Sequence, residues 1–175
     1  MSEIQPWQRE PKLTAKQPTE QQAAESSLRS SLSSWWPALL WAGIIFCLST
    51  DTFSAEHTGS VLQRLVGWLH LSEEQFSTLH FFIRKCAHFT EYFVFCVLIY
   101  RGIRGQRPGW RWIWGLSAWF VAAAYAALDE VHQAFVASRT ASAYDALLDS
   151  VGAFVALIVL YLYFRPPLPP PRIRE

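Results

Sequence analysis

Polar and ionisable side chains sit inside or beside stretches of this chain that otherwise read as membrane spans, and they gather toward one end of those stretches. They are Arg84, Lys85, His88, Glu91, Asp129, Glu130, His132, Gln133, Arg139, Asp145 and Asp149. An ionised residue at the centre of a membrane helix costs about 2.5–3.5 kcal/mol, so such residues are rare unless they pair, line a wet cavity or act on something. That cost constrains the fold: the helices carrying these groups must turn them toward one another.

Residues 1–34 hold Pro6, Pro11 and Pro18 among Gln, Glu, Ser and Lys without periodicity, which predicts a disordered arm. The first apolar run, Trp35 to Ser49, carries Pro37 where the first turn of a helix would fall, a position at which its missing N–H costs nothing. With neighbouring Ser and Thr this run reaches about 17 residues, the lower limit for a span. Trp35 and Trp36 suit the headgroup level. Val61, Leu62, Leu65, Val66 and Leu69 then recur at helical spacing in a segment too short and too polar to cross. It is expected to lie flat on the membrane surface or to pack as an amphipathic helix on the bundle.

Ser72-Glu73-Glu74-Gln75 is a capping box. A helix starts there and runs to about Tyr100, its apolar part beginning near Phe81, until Gly102, Gly105 and Pro108 stop it. A third span is predicted from Trp110 to Leu128, with helix continuing through Phe135. After a turn at Ser138-Arg139-Thr140, Ser142 followed by Asp145 signals another cap, and a fourth span runs from Ala143 to about Phe164. Residues 165–175 form a proline-rich tail. The fold class is all-α: a four-helix membrane domain over residues 35–164, with an interfacial helix between the first and second transmembrane helices.

The connector between spans two and three holds Arg101, Arg104, Arg107 and Arg111 without an acid, and the tail holds Arg165, Arg172 and Arg174. The positive-inside rule makes that side cytoplasmic, with both termini on it, and gives the polar groups to the outer side of a bacterial inner membrane. A net charge of +1 names no partner, and no nucleic acid is expected. Membrane lipids are the expected surroundings. The mean hydropathy of +0.12 is low for a membrane protein because the arm and the tail dilute it. Cys47, Cys86 and Cys96 lie in apolar runs without metal-finger spacing and read as reduced packing residues. No apolar core follows the start methionine, so no cleaved signal peptide is expected.

Arg84, His88 and Glu91 stand at i, i+4 and i+7 on one helix face, flanked by Lys85 and Tyr92. On the third span Asp129 shares a face with His132 and Gln133, and Glu130 is one step round. On the fourth, Asp145, Asp149 and Gly152 repeat at the same spacing, the glycine admitting a close neighbour. Three such faces predict one pocket opening outward. In a binding reading, Arg84, Lys85 and Arg139 contact an anionic lipid-linked or cell-envelope ligand, Asp129, Glu130, Asp145 and Glu91 hold those cations, and His88 and Gln133 hydrogen-bond the ligand. In an enzymatic reading, His88 is acid/base and Asp129 or Asp145 is base or nucleophile on a phosphorylated lipid. A metal reading uses His88 with Glu91 and Asp129 with His132, but Arg84 and Lys85 oppose a cation, so no metal or other cofactor is assigned. A structural module tied by interhelical ion pairs is the third alternative. Ser138-Arg139 followed by Asp145 and Asp149 also has the spacing of the last motif of membrane lipid phosphatases, with Asp145 where that family has a nucleophilic histidine.

The run Arg84-Lys85-Cys86-Ala87-His88-Phe89-Thr90-Glu91-Tyr92 resembles the second-span motif of VanZ-like membrane proteins. Asp129-Glu130-Val131-His132-Gln133 with Phe135 resembles their third-span ending, and Arg139 to Ser142 with Asp145, Asp149 and Gly152 their last motif. Ser49 after the first apolar run is also typical, and the similarity covers roughly residues 36–162. The resemblance implies a small multi-pass cell-membrane protein of bacteria, in a family whose founding member is associated with low-level resistance to the glycopeptide teicoplanin. It carries no established reaction. Two departures stand out: Val136-Ala137-Ser138 replaces a common proline-glycine turn, and Asp149 is often asparagine in relatives, which ranks it below Asp129 and Asp145.

Overall fold

A computed structural model describes residues 19–50, 55–136 and 141–165. Among these residues the chain is entirely helical, with helices α1 (Glu20–Leu48), α2 (Ala55–Val66), α3 (Glu73–Arg104), α4 (Trp112–Gln133) and α5 (Ala143–Phe164), and a 3-10 turn, Gly67–Leu69, after α2. Arg139, the turn around it and the tail beyond Arg165 lie outside the described residues.

The helix starts follow local chemistry. Ser72 caps α3: its hydroxyl accepts the Gln75 N–H at 3.3 Å, and the Gln75 side chain accepts the Ser72 N–H at 3.0 Å. The same box opens α1 at Thr19 and Gln22, at 3.4 and 3.1 Å. This corrects the expectation of a structureless arm through residue 34, since α1 begins inside it, at Glu20. Pro37 consequently lies inside the helix rather than in its first turn. The Ser142 cap is also corrected. Ser142 makes no side-chain cap hydrogen bond, and its N–H is accepted instead by Glu130 Oε2 of α4 at 2.7 Å.

α3, α4 and α5 pack against one another, and α1 lies along α3. The seams are lined by small residues: Ala118, Ala122 and Ala126 of α4, with Gly152, Ala153 and Ala156 of α5, are all buried. Gly152 sits so close to α3 that a Cβ there would fall 2.4 Å from the carbonyl oxygen of Phe89. α1 is fastened by Trp41, whose indole N–H donates to the Glu91 carbonyl at 3.0 Å, and by the Tyr125 hydroxyl of α4, which donates to the Ala42 carbonyl at 2.9 Å. Trp35 fills the space above Gly102.

Large apolar side chains point outward on every long helix: Leu39 and Leu40 on α1, Phe81 and Phe82 on α3, Phe120 and Leu128 on α4, Leu147 and Leu162 on α5 are all exposed. α2 likewise leaves Val61 and Leu65 open, with Trp68 of the 3-10 turn. By length and composition, among the described residues, α5 is the one helix long and apolar enough to cross a membrane, and the apolar part of α1, Leu32–Leu48, is shorter.

Candidate functional site

The polar groups of α3, α4 and α5 meet where the three helices converge, near the N-terminal half of α3, the end of α4 and the start of α5. On α3 the inward stripe runs Lys85, His88, Tyr92, and continues as buried Phe95, Cys96 and Ile99. The spacing alone favoured a face of Arg84, His88 and Glu91. The helix instead turns Lys85 and Tyr92 inward, because Tyr92 and the apolar residues one and two turns beyond it bury better than Glu91 does. Arg84 stands at the flank, where its charge acts on His80 one turn earlier. Glu91 lies within electrostatic reach of both His88 and Tyr92.

On α5 the stripe Asp145, Asp149, Gly152 faces α3 as its spacing requires. Asp145 pairs with Lys85, and both side chains keep partial exposure, 21% and 28%. One turn deeper, Asp149 is wholly buried and its Oδ2 lies 3.6 Å from His88 Nδ1. That distance is too long for a direct hydrogen bond. The close approach at Gly152 and Phe89 sits directly below and sets the spacing of these two pairs.

α4 supplies Asp129, Glu130 and Gln133, all buried. Gln133 Nε2 donates to Asp129 Oδ2 at 2.9 Å, an i, i+4 pair within the helix. Asp129 is within electrostatic reach of Tyr92, Tyr125 and Asp149. Glu130 reaches toward His88, Asp145 and Asp149 while one of its oxygens holds the Ser142 N–H. His132 departs from the expected arrangement. It turns toward α1, its ring 4.8 Å from that of Phe46, because a residue three positions after Asp129 lies on the opposite flank from Gln133.

Several buried polar atoms here have no hydrogen-bond partner among the described residues: both carboxylate oxygens of Asp149, Oε1 of Glu130, the Tyr92 hydroxyl and Nδ1 of His88. Leaving such groups unpaired costs about 1–3 kcal/mol each. Their concentration at one place singles it out as the candidate site. The acceptors belong to Asp149 and Glu130, while Lys85, with three N–H donors of which Asp145 takes one, stands at the rim. No group of three or more His, Cys, Asp or Glu side chains poised to hold a metal ion occurs among the described residues. Three contributors were not anticipated. Tyr125 lies four residues before Asp129, a spacing that could have pointed to it; the Ser142 N–H and the Phe89 carbonyl are backbone groups that side-chain patterns do not reveal.

Among the described residues, fold and site together define an all-helical protein with buried ionisable groups where three helices meet. The chain belongs to the VanZ/LLP1 family, whose model matches residues 34–164. No curated protein and no solved structure matches the chain.

Proposed function

We propose that this is a multi-pass protein of the bacterial inner membrane whose polar cluster opens to the outer side and recognises an anionic, lipid-linked or cell-envelope ligand. The apolar part of α1 with α3, α4 and α5 makes four crossings, α2 lies at the interface, and both termini are cytoplasmic. The support is a distribution turned inside out relative to a water-soluble bundle. Phe120, Leu128, Leu147 and Leu39 face outward while Asp149, Asp129, Glu130 and a seam of alanines lie inside. Large contiguous apolar surfaces of this kind suit a lipid environment or a partner, and small residues are what membrane helices use to pack closely.

The observation that supports the ligand reading is the set of polar atoms on Asp149, Glu130 and Tyr92 that lack a hydrogen bond among the described residues, beside the rim cation Lys85. The carboxylate oxygens need hydroxyl or amide donors, and Lys85, with Arg84 beside it on α3, suits a phosphate. A lipid-phosphate-linked sugar or peptide carries both kinds of group. A role of this sort at the outer face is compatible with glycopeptide (teicoplanin) resistance, the property of the family's founding member. Titrating the purified full-length chain in micelles with a polyprenyl pyrophosphate tests the reading. Saturable binding that weakens in Lys85→Gln and Asp149→Ala is expected, and binding no stronger than to phosphatidylethanolamine would reject it.

One observation favours an enzymatic alternative, the approach of His88 Nδ1 to the buried Asp149 carboxylate. Catalytic hydrogen bonds are often long before substrate binds and tighten with it, and a carboxylate so engaged orients an imidazole for proton transfer. In this geometry Asp149 assists His88, while Asp129 is engaged by Gln133 and Asp145 by Lys85. Release of phosphate from the same probe, lost in His88→Ala with folding intact, would establish it; no release by the wild-type chain would dismiss it.

A further inference from the structure

The opposite end of the bundle holds a second polar corner, formed by the end of α3, the α3–α4 connector and the end of α5. Arg101, Arg104, Arg107 and Arg111 lie there within eleven residues, and no acid interrupts them. Unlike a solvated charge run, this one is built into an aromatic wall. The Arg104 guanidinium lies 4.2 Å above the Phe164 ring, and those of Arg107 and Arg111 lie 4.7 and 5.3 Å from Trp114. Tyr100 stacks on Trp110 at 5.4 Å and packs against Phe164 at 5.7 Å, and Tyr161 stacks on Trp112 at 4.8 Å.

Three donor atoms inside this wall have no partner among the described residues: Arg104 Nε, Trp110 Nε1 and the Tyr100 hydroxyl. They belong to residues that touch one another or share Phe164. Indole and guanidinium nitrogens can only donate, so what satisfies them must be an acceptor. The positive charges of Arg104, Arg107 and Arg111 make it an anion. The helix end contributes nothing to this preference, since the carbonyls at the end of α3 repel anions. Arg107 already uses its guanidinium to hold the carbonyls of Ile103 and Arg104, which stiffens the connector. Arg104 remains half-buried, with an unused Nε.

We propose that this corner is a binding site for the phosphate of an anionic phospholipid of the cytoplasmic leaflet, held by Arg104, Trp110 and Tyr100, with Arg111 and Arg107 adding charge from the rim. A basic pocket between membrane helices on the cytoplasmic side is the kind of place where phospholipid head groups bind, and tryptophan and tyrosine belong at that depth. The exposed rings of Trp112 and Tyr163 offer an apolar surface beside this corner for the acyl chains. The proposal rests on the membrane reading above, but concerns the other end of the molecule and a different ligand.

The test uses the full-length chain purified in a zwitterionic detergent. Thermal unfolding is followed while phosphatidylglycerol, phosphatidylethanolamine or inorganic phosphate is added, and native mass spectrometry counts retained lipid. Phosphatidylglycerol is expected to raise the midpoint well above the other two additions. Arg104→Gln should weaken that response about tenfold in lipid concentration, the usual worth of a hydrogen bond to a charged group. Arg104→Lys should restore only part of it, and exposed Arg101→Gln should leave it nearly intact. Should Arg104→Gln fail to fold, the wild-type comparison still decides. Equal midpoints with phosphatidylglycerol and phosphatidylethanolamine would overturn the proposal, and an inorganic phosphate response as large as the lipid's would reassign the corner to a free anion. Alkaline carbonate extraction of the chain from membranes would overturn this proposal and the membrane reading together, whereas firm insertion without lipid preference would overturn this proposal alone.

Discussion

His88 Nδ1 faces the Asp149 carboxylate at 3.6 Å, and Asp149 has no solvent exposure at all. The pair joins α3 to α5 one turn below the more exposed Lys85–Asp145 pair. Two interhelical contacts in adjacent turns, one open and one sealed, give the cluster a direction. Charge is screened at the rim and strengthens inward, where the dielectric is low.

Asp149→Asn keeps the shape and the hydrogen-bonding capacity but removes the charge, so it should fold about as well as the wild type. Asp149→Ala should destabilise by about 1–3 kcal/mol, since it opens a gap in a sealed seam and removes the carboxylate that faces His88. Thermal melts of the two variants in one detergent separate these outcomes. If the two melt together, Asp149 does not act through its polar atoms.

Gly152→Ala is expected to cost about 1–3 kcal/mol, because the new methyl would meet the Phe89 carbonyl oxygen at 2.4 Å and neither backbone can step aside cheaply. Gly43→Ala has nothing within 4 Å and should be neutral or stabilising by up to about 1 kcal/mol from helix propensity. Comparing unfolding midpoints of the two alanine variants checks the seam. Equal effects would mean that α3 and α5 do not approach so closely.

Glu130→Ala should free the Ser142 amide. Loss of a hydrogen bond to a charged acceptor is worth about 1.5–3 kcal/mol, and Glu130→Gln, which keeps an acceptor oxygen, should lose less. Hydrogen exchange at the first turn of α5 is the direct measurement, with faster exchange in the alanine variant. Unchanged exchange would show that Glu130 does not hold the start of α5.

Much of this arrangement was legible in the residue pattern, and the failures have physical causes. Asp145, Asp149 and Gly152 were placed on one face because all three lie along a single stripe of α5 that only α3 can cover. The α3 face was placed slightly wrong. Arg84 and Lys85 differ by 100° around the helix, and which of them turns inward depends on how Tyr92, Phe95 and Ile99 bury further along, a tertiary effect. His132 was assigned to the cluster from its spacing to Asp129, yet the helix has two flanks, and Phe46 of a distant segment claims that one. The start of α1 was missed for a local reason, since the Thr19–Gln22 capping box was present but the surrounding polar composition suggested disorder. The bond from Glu130 to the Ser142 backbone connects two helix ends across a turn, and no side-chain periodicity encodes it.

The proposed topology predicts opposite labelling at the two ends. In a chain lacking Cys47, Cys86 and Cys96, a cysteine placed at exposed Glu74 should react with a membrane-impermeant maleimide in spheroplasts, which have lost their outer barrier. One placed at exposed Gln106 should react only after lysis. Labelling of both positions before lysis would contradict the orientation.

Lys85 and Asp145 allow the ligand role to be separated from a structural tie. Lys85→Ala leaves Asp145 without its partner and should destabilise, as should Asp145→Ala, and the double variant should recover part of the loss, with a coupling of about 0.5–3 kcal/mol. The exchange of Lys85→Asp with Asp145→Lys keeps an ion pair between the same two helices, so it should restore folding better than either single change. If the pair only fastens α3 to α5, the exchanged protein should also bind a polyprenyl pyrophosphate as the wild type does. If Lys85 contacts the phosphate, the cation now projects from a different helix turn, and binding should stay weak in a protein that is well folded. Measuring midpoint and affinity on the same preparations distinguishes the two, because only direct contact predicts that stability returns while binding does not.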